Sequence, residues 1–115
     1  MKLIIRCSSG FGSSGIGYGE DPTLHECHVA FSGYLVARIM RLEITPLEVF
    51  NMGKFGHKEK EFKELTLDLR LWENSIPFSE QVIQRVIETY QAFAQAHHMK
   101  FQVIMPNPPK KPHAA

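Results

Sequence analysis

Five of the eight glycines fall between Gly10 and Gly19. No other feature restricts the fold as much. Glycine has the largest backbone entropy to lose on ordering, so this stretch cannot sustain a helix. It follows a short apolar run, Lys2-Leu3-Ile4-Ile5-Arg6-Cys7, whose β-branched content predicts a first strand over residues 2–7. Residues 8–22 then read as one long loop. Loops beyond about 12–15 residues are uncommon in compact domains and tend to be functional.

Gly10-Phe11-Gly12-Ser13-Ser14-Gly15 matches the dinucleotide pattern G-x-G-x-x-G directly after a strand. That pattern needs a helix to open at its end, and Gly17, Gly19 and Pro22 forbid one. What survives is weaker chemistry. Successive Gly and Ser residues can present N–H groups and hydroxyls to an anion such as a nucleotide phosphate. Phe11, Ile16 and Tyr18 add large apolar groups to the same loop, which suits recognition of a protein partner.

Residues 23–44 admit two readings. As a helix, Thr23 and Glu26 form a capping box, and Leu24, Cys27, Phe31, Leu35 and Leu42 share a face. As a hairpin, Cys27, Val29 and Phe31 alternate with Glu26, His28 and Ala30. Ser32-Gly33 would turn the chain, and Tyr34, Val36, Met40, Leu42 and Ile44 would line a return strand. Gly33 and the β-branched and aromatic content favour the hairpin. The alternation Arg41-Leu42-Glu43-Ile44 predicts strand at its far end.

Thr45-Pro46-Leu47-Glu48 predicts a capped helix of about two turns, stopped at Gly53. Residues 53–63 read as a charged loop. Leu65, Leu67, Leu69 and Leu71 alternate with Thr66, Asp68, Arg70 and Trp72, predicting a strand over 64–72 with one buried and one wet face. Residues 79–98 predict a helix about 30 Å long. Ser79 caps it, Phe78 and Ile83 staple it, and Val82, Ile83, Val86, Ile87, Tyr90, Phe93 and Ala94 form its apolar stripe. His97 and His98 close it at the negative end of the helix dipole. Phe101, Val103 and Met105 mark a last strand. Residues 106–115 carry four prolines and read as a disordered tail.

The expected fold is α+β: a single domain over 1–105, built as a two-layer sandwich, with an antiparallel or mixed sheet packed on one long helix (79–98). If residues 23–33 are helical, the order β-α-β-β-α-β predicts a ferredoxin-like fold instead. Apolar residues make up 43% and charged residues 22%, the balance of a globular domain. The net charge of +1 disfavours nucleic acid, whose binding draws on excess Lys and Arg. No run approaches the roughly 20 apolar residues of a membrane span, and the N-terminal apolar run is too short for a signal peptide, so the expected location is cytoplasmic. Cys7 and Cys27 are expected as reduced, partly buried thiols.

Two function classes follow. The leading one is a non-catalytic binding or regulatory module, of adaptor or inhibitor type and without a cofactor. It engages a protein partner or a small anionic ligand through Gly10, Phe11, Gly12, Ser13, Ser14, Gly15 and Tyr18. Arg38 and Arg41 are candidates for gripping an anion, and Trp72 for a partner contact. Homo-oligomerisation through a sheet edge is compatible with it. The competing class is a small enzyme or metal protein using His25, Cys27 and His28. No catalytic triad or carboxylate pair rises above background, which tilts the choice away from an enzyme.

Overall fold

The computed structural model describes residues 1–7, 16–31, 41, 43–54, 56–70 and 80–105. Five strands form one mixed sheet: β1 Lys2–Cys7, β2 Ile16–Asp21, β3 Glu26–Phe31, β4 Glu64–Asp68 and β5 Lys100–Ile104. Their order across the sheet is β2-β3-β1-β4-β5. β1 is central and runs parallel to β3 on one side and β4 on the other. β5 continues parallel beside β4, while β2 pairs antiparallel with β3 as an edge hairpin. Two helices, α1 Pro46–Gly53 and α2 Glu80–Ala96, complete the described elements together with a 3-10 turn at Glu59–Glu61.

The α+β class and the mixed sheet therefore stand, and the described residues contain both the short helix expected after Thr45 and the long helix expected within 79–98. The ferredoxin-like alternative does not stand. Residues 26–31 are a strand, and the described order is β-β-β-α-β-α-β around a parallel centre. Of the expected hairpin within 23–44, the first arm is present as β3, and the strand expected at the far end is corrected. Both sides of β3 are taken, by β1 and by β2, while the expected turn at Ser32-Gly33 and the return strand over 34–40 and at Leu42 lie outside the described residues. Arg41 lies in a turn, and Glu43 and Ile44 in bends leading to α1. The loop expected over 8–22 is strand from Ile16 to Asp21. Ile16, Tyr18 and Glu20 alternate there with Gly17, Gly19 and Asp21, so the two glycines disguise the strand in the sequence.

The core lies on one face of the sheet. Leu3, Ile5 and Cys7 of β1 are fully buried, as are Cys27 and Val29 of β3 and Leu65 and Leu67 of β4. α1 and α2 cover that face. Thr45 caps α1 by accepting the Glu48 N–H at 3.2 Å, with Pro46 in the first turn, as the sequence pattern requires. Gly53 does more than stop α1. A Cβ on it would sit 3.0 Å from Leu3 Cδ1 and 3.1 Å from Val29 Cγ1, so its bareness lets the helix lie close on β1 and β3. The α2 stripe buries Ile83, Val86, Tyr90 and Ala94. The Phe50 ring meets Phe62 at 5.3 Å and Phe93 at 5.6 Å, joining α1 to α2. α2 ends in a Schellman motif: Met99 N–H donates to Ala94 O at 2.9 Å and His98 N–H to Gln95 O at 3.3 Å. His98 takes the left-handed position, φ 58°, that glycine usually fills.

β4 departs from the expected wet-and-dry pattern. It is an interior strand, and Thr66 and Asp68 on its second face are each 5% exposed. The strand ends at Asp68, and Arg70 follows in a turn. Leu71, Trp72 and the expected cap at Ser79 lie outside the described residues, as does the tail 106–115.

Candidate functional site

Two clusters stand at opposite ends of the parallel strands. At the amino-terminal end, the β2–β3 hairpin turns on Asp21. Its Oδ1 accepts the N–H groups of Thr23 at 3.1 Å and Leu24 at 3.3 Å, and His25 takes φ 52°. This turn sets Glu20 directly opposite Cys27, and Cys27 beside Leu3 of β1. Cys27 therefore points into the core face and is fully buried. Its thiol reaches the Lys54 carbonyl, 3.7 Å away, just past the end of α1.

The chain then folds back. His57 N–H donates to Lys54 O at 2.9 Å, and Gly56 between them adopts φ 87°, which a side chain would resist. The His57 ring is thereby laid against the hairpin. Its Nε2 meets Glu20 Oε1, and its Nδ1 stands 3.6 Å from Glu61 Oε2. Glu61 is held in turn by the Lys58 N–H, which donates to Oε2 at 2.7 Å. The Phe62 ring presents an edge-on contact to His57 at 6.3 Å.

One donor atom each from Glu20, Cys27 and His57 lies within 4.8 Å of the others. Burial pushes the Cys27 thiol up from its ordinary value, and the nearby Glu20 carboxylate adds to the shift. A buried neutral thiol is a poor nucleophile. The Lys58 N–H chiefly, and His57 after it, hold the Glu61 carboxyl below the usual range. Sulfur, imidazole nitrogen and carboxylate oxygen thus converge at a half-buried rim.

The set proposed from sequence, His25, Cys27 and His28, is not brought together. Cys27 faces the helices. His28 lies on the other face, where its ring occupies the space over Gly19; a Cβ there would come 2.9 Å from Nε2. His25 stands exposed in the turn. Glu20 and His57 were missed because 37 residues separate them in the chain. The available signal was the Ile16, Tyr18, Glu20 alternation, which puts Glu20 on a strand.

The second cluster lies at the carboxyl end of the parallel strands. Asp68 is almost fully buried and accepts Arg70 Nη2 at 2.8 Å and Nε at 3.0 Å, a bidentate pair, and also the Arg70 backbone N–H at 3.0 Å. Arg6, its register partner on β1, brings Nε to 3.7 Å. The Arg70 hydrogen bonds chiefly hold the Asp68 carboxyl below its usual value. Two guanidinium groups, 41% and 53% exposed, share this single carboxylate. Beneath them Cys7 is fully buried, its thiol pushed up by burial and then by Asp68. Both cysteines are free thiols.

The segment 8–15 leaves this same edge at Cys7 and rejoins it at Ile16. Gly10, Phe11, Gly12, Ser13, Ser14, Gly15, Arg38 and Trp72 lie outside the described residues. Tyr18 pairs with Val29 in the β2–β3 register. Arg41 is exposed and its Nε stands 3.5 Å from Glu43 Oε1.

No protein family, curated protein or solved structure matches the chain. No described helix is long and apolar enough to cross a membrane.

Proposed function

We propose that the protein is a small binding module whose ligand surface is the carboxyl edge of its parallel sheet, and that the ligand is a small phosphate-bearing anion. One observation carries this reading. The glycine- and serine-rich segment has both its anchors, Cys7 and Ile16, at that edge, and it springs from the central strand. Open sheets with parallel strands take ligands in the crevice beyond the carboxyl ends, where successive connections leave in opposite directions. β1 is such a strand, with β3 on one side and β4 on the other.

The charge balance supports an anion. Arg6 and Arg70 present two cations to one carboxylate. Asp68 fixes the Arg70 fork and leaves the group with one positive charge in excess. Ser13, Ser14 and the backbone of the glycines supply neutral donors without steric bulk. Such a site recognises and holds its ligand.

Thermal melts against inorganic phosphate, pyrophosphate and nucleoside di- and triphosphates test the reading. A ligand at 100 times its dissociation constant stabilises the chain by about 2.7 kcal/mol. Arg6→Ala and Arg70→Ala should each reduce that gain. A flat panel on folded protein would remove the anion and leave a protein partner for the same edge. Replacing Phe11 and Tyr18 with Ser would then decide whether that partner uses the loop.

A further inference from the structure

We propose that Glu20, Cys27 and His57 form a transition-metal site of the zinc class, holding one ion between the β2–β3 hairpin and the segment that follows α1. It stands at the opposite end of the sheet from the proposed anion surface and does not depend on it.

The donor set comes first. A Glu20 carboxylate oxygen, Cys27 Sγ and a His57 ring nitrogen lie within 4.8 Å of one another, and Glu20 Oε1 meets His57 Nε2. Tetrahedral zinc, with bonds of about 2.0–2.3 Å, needs its ligands roughly 3.3–3.8 Å apart. Rotations of the half-buried Glu20 and His57 side chains provide the adjustment. A thiolate with an imidazole selects zinc, cobalt or copper over magnesium or calcium, which prefer oxygen alone.

The shell behind the ligands has the right form. A metal-bound imidazole usually gives its other nitrogen to a carboxylate, which fixes the tautomer and the ring. Here Nδ1 of His57 stands 3.6 Å from Glu61 Oε2, and Glu61 is itself anchored by the Lys58 N–H at 2.7 Å. That leaves Nε2 directed towards Glu20 and Cys27. Sulfur also distinguishes a ligand set from an ion pair: Glu20 and His57 need no buried thiol beside them to pair with each other. Three protein ligands leave a fourth position, open to water at the rim, where the Glu20 and His57 side chains are 24% and 29% exposed. On binding, the Cys27 proton passes to solvent as the thiolate–metal bond forms. His57 binds through the lone pair of neutral Nε2, releasing any proton it shared with Glu20.

The test uses the full chain without an affinity tag, stripped with a chelator and titrated with Co²⁺ and then Zn²⁺. The expected result is one Co²⁺ per chain, a thiolate-to-cobalt charge-transfer band and displacement by Zn²⁺. Cys27→Ser should abolish the band. Cys27 is buried and that variant can fail to fold, so Glu61→Gln serves beside it, with binding expected to weaken about 10–100-fold. His25→Gln and His28→Gln should bind as the wild type does. No charge-transfer band in the folded wild type, a band that survives in folded Cys27→Ser, full affinity in Glu61→Gln, or equal loss in His28→Gln would each overturn the site.

Discussion

Asp68→Asn is the substitution whose consequence the structure defines most fully. The carboxylate accepts three N–H groups of Arg70, at 2.8, 3.0 and 3.0 Å, and has Arg6 at 3.7 Å. Asparagine keeps the shape but loses the charge and one acceptor. Hydrogen bonds to a charged group contribute about 1.5–3 kcal/mol each, and the half-exposed guanidiniums reduce that through solvent screening. The net loss expected near neutral pH is about 2 kcal/mol. At about 2.1 cal/mol/K of unfolding entropy per residue, 115 residues convert this to a midpoint lower by roughly 8 °C.

The pH dependence makes the prediction sharper. The folded carboxyl titrates below its unfolded value of about 3.9. Its stabilisation is therefore complete above that value and lost as pH falls through the lowered folded one. Urea melts of wild type and Asp68→Asn should be about 2 kcal/mol apart at pH 7 and should converge below the folded titration, because a protonated Asp68 resembles Asn. A gap under about 0.5 kcal/mol at pH 7, or one that persists undiminished in acid, would refute the claim that ionised Asp68 organises this edge.

Two further substitutions probe the helix layer. The Tyr90 hydroxyl is buried with no hydrogen-bond partner among the described residues, so Tyr90→Phe should stabilise by about 1 kcal/mol in denaturant melts, whereas a loss of that size would reveal a partner. His98 holds the left-handed position after α2, so His98→Gly should raise stability by about 0.5–1 kcal/mol, and a clear loss would show that its side chain contributes to the fold.

What the sequence discloses follows the range of the forces that act. α1 is legible because Thr45, Pro46 and Glu48 settle its start within one turn. α2 is legible because Ile83, Val86, Tyr90 and Ala94 recur at helical spacing. β2 is hidden because Gly17 and Gly19 suggest loop. Gly19 instead leaves the room that the His28 ring occupies. β3 is recognisable by its alternation, yet its partners are not, because strand pairing is settled by the whole sheet. The same limit applies to the amino-edge cluster. Cys27 stands out in the sequence, but adjacent histidines on a strand face apart, and its neighbours Glu20 and His57 arrive through the hairpin register and the turn at Gly56. Gly53 reads as a stop, while its close approach to Leu3 and Val29 becomes visible only when α1 lies on β1 and β3.

The central claim is that the carboxyl edge of the sheet is the ligand surface. Titrating ¹⁵N-labelled protein with pyrophosphate, followed through its amide resonances, tests it most directly. The account predicts saturable shifts at Arg6, Cys7, Leu69 and Arg70 and in the segment 8–15, with the amides of Glu20, Cys27 and His57 unmoved. Shifts gathered at the amino end instead, or none at all at millimolar ligand, would contradict it.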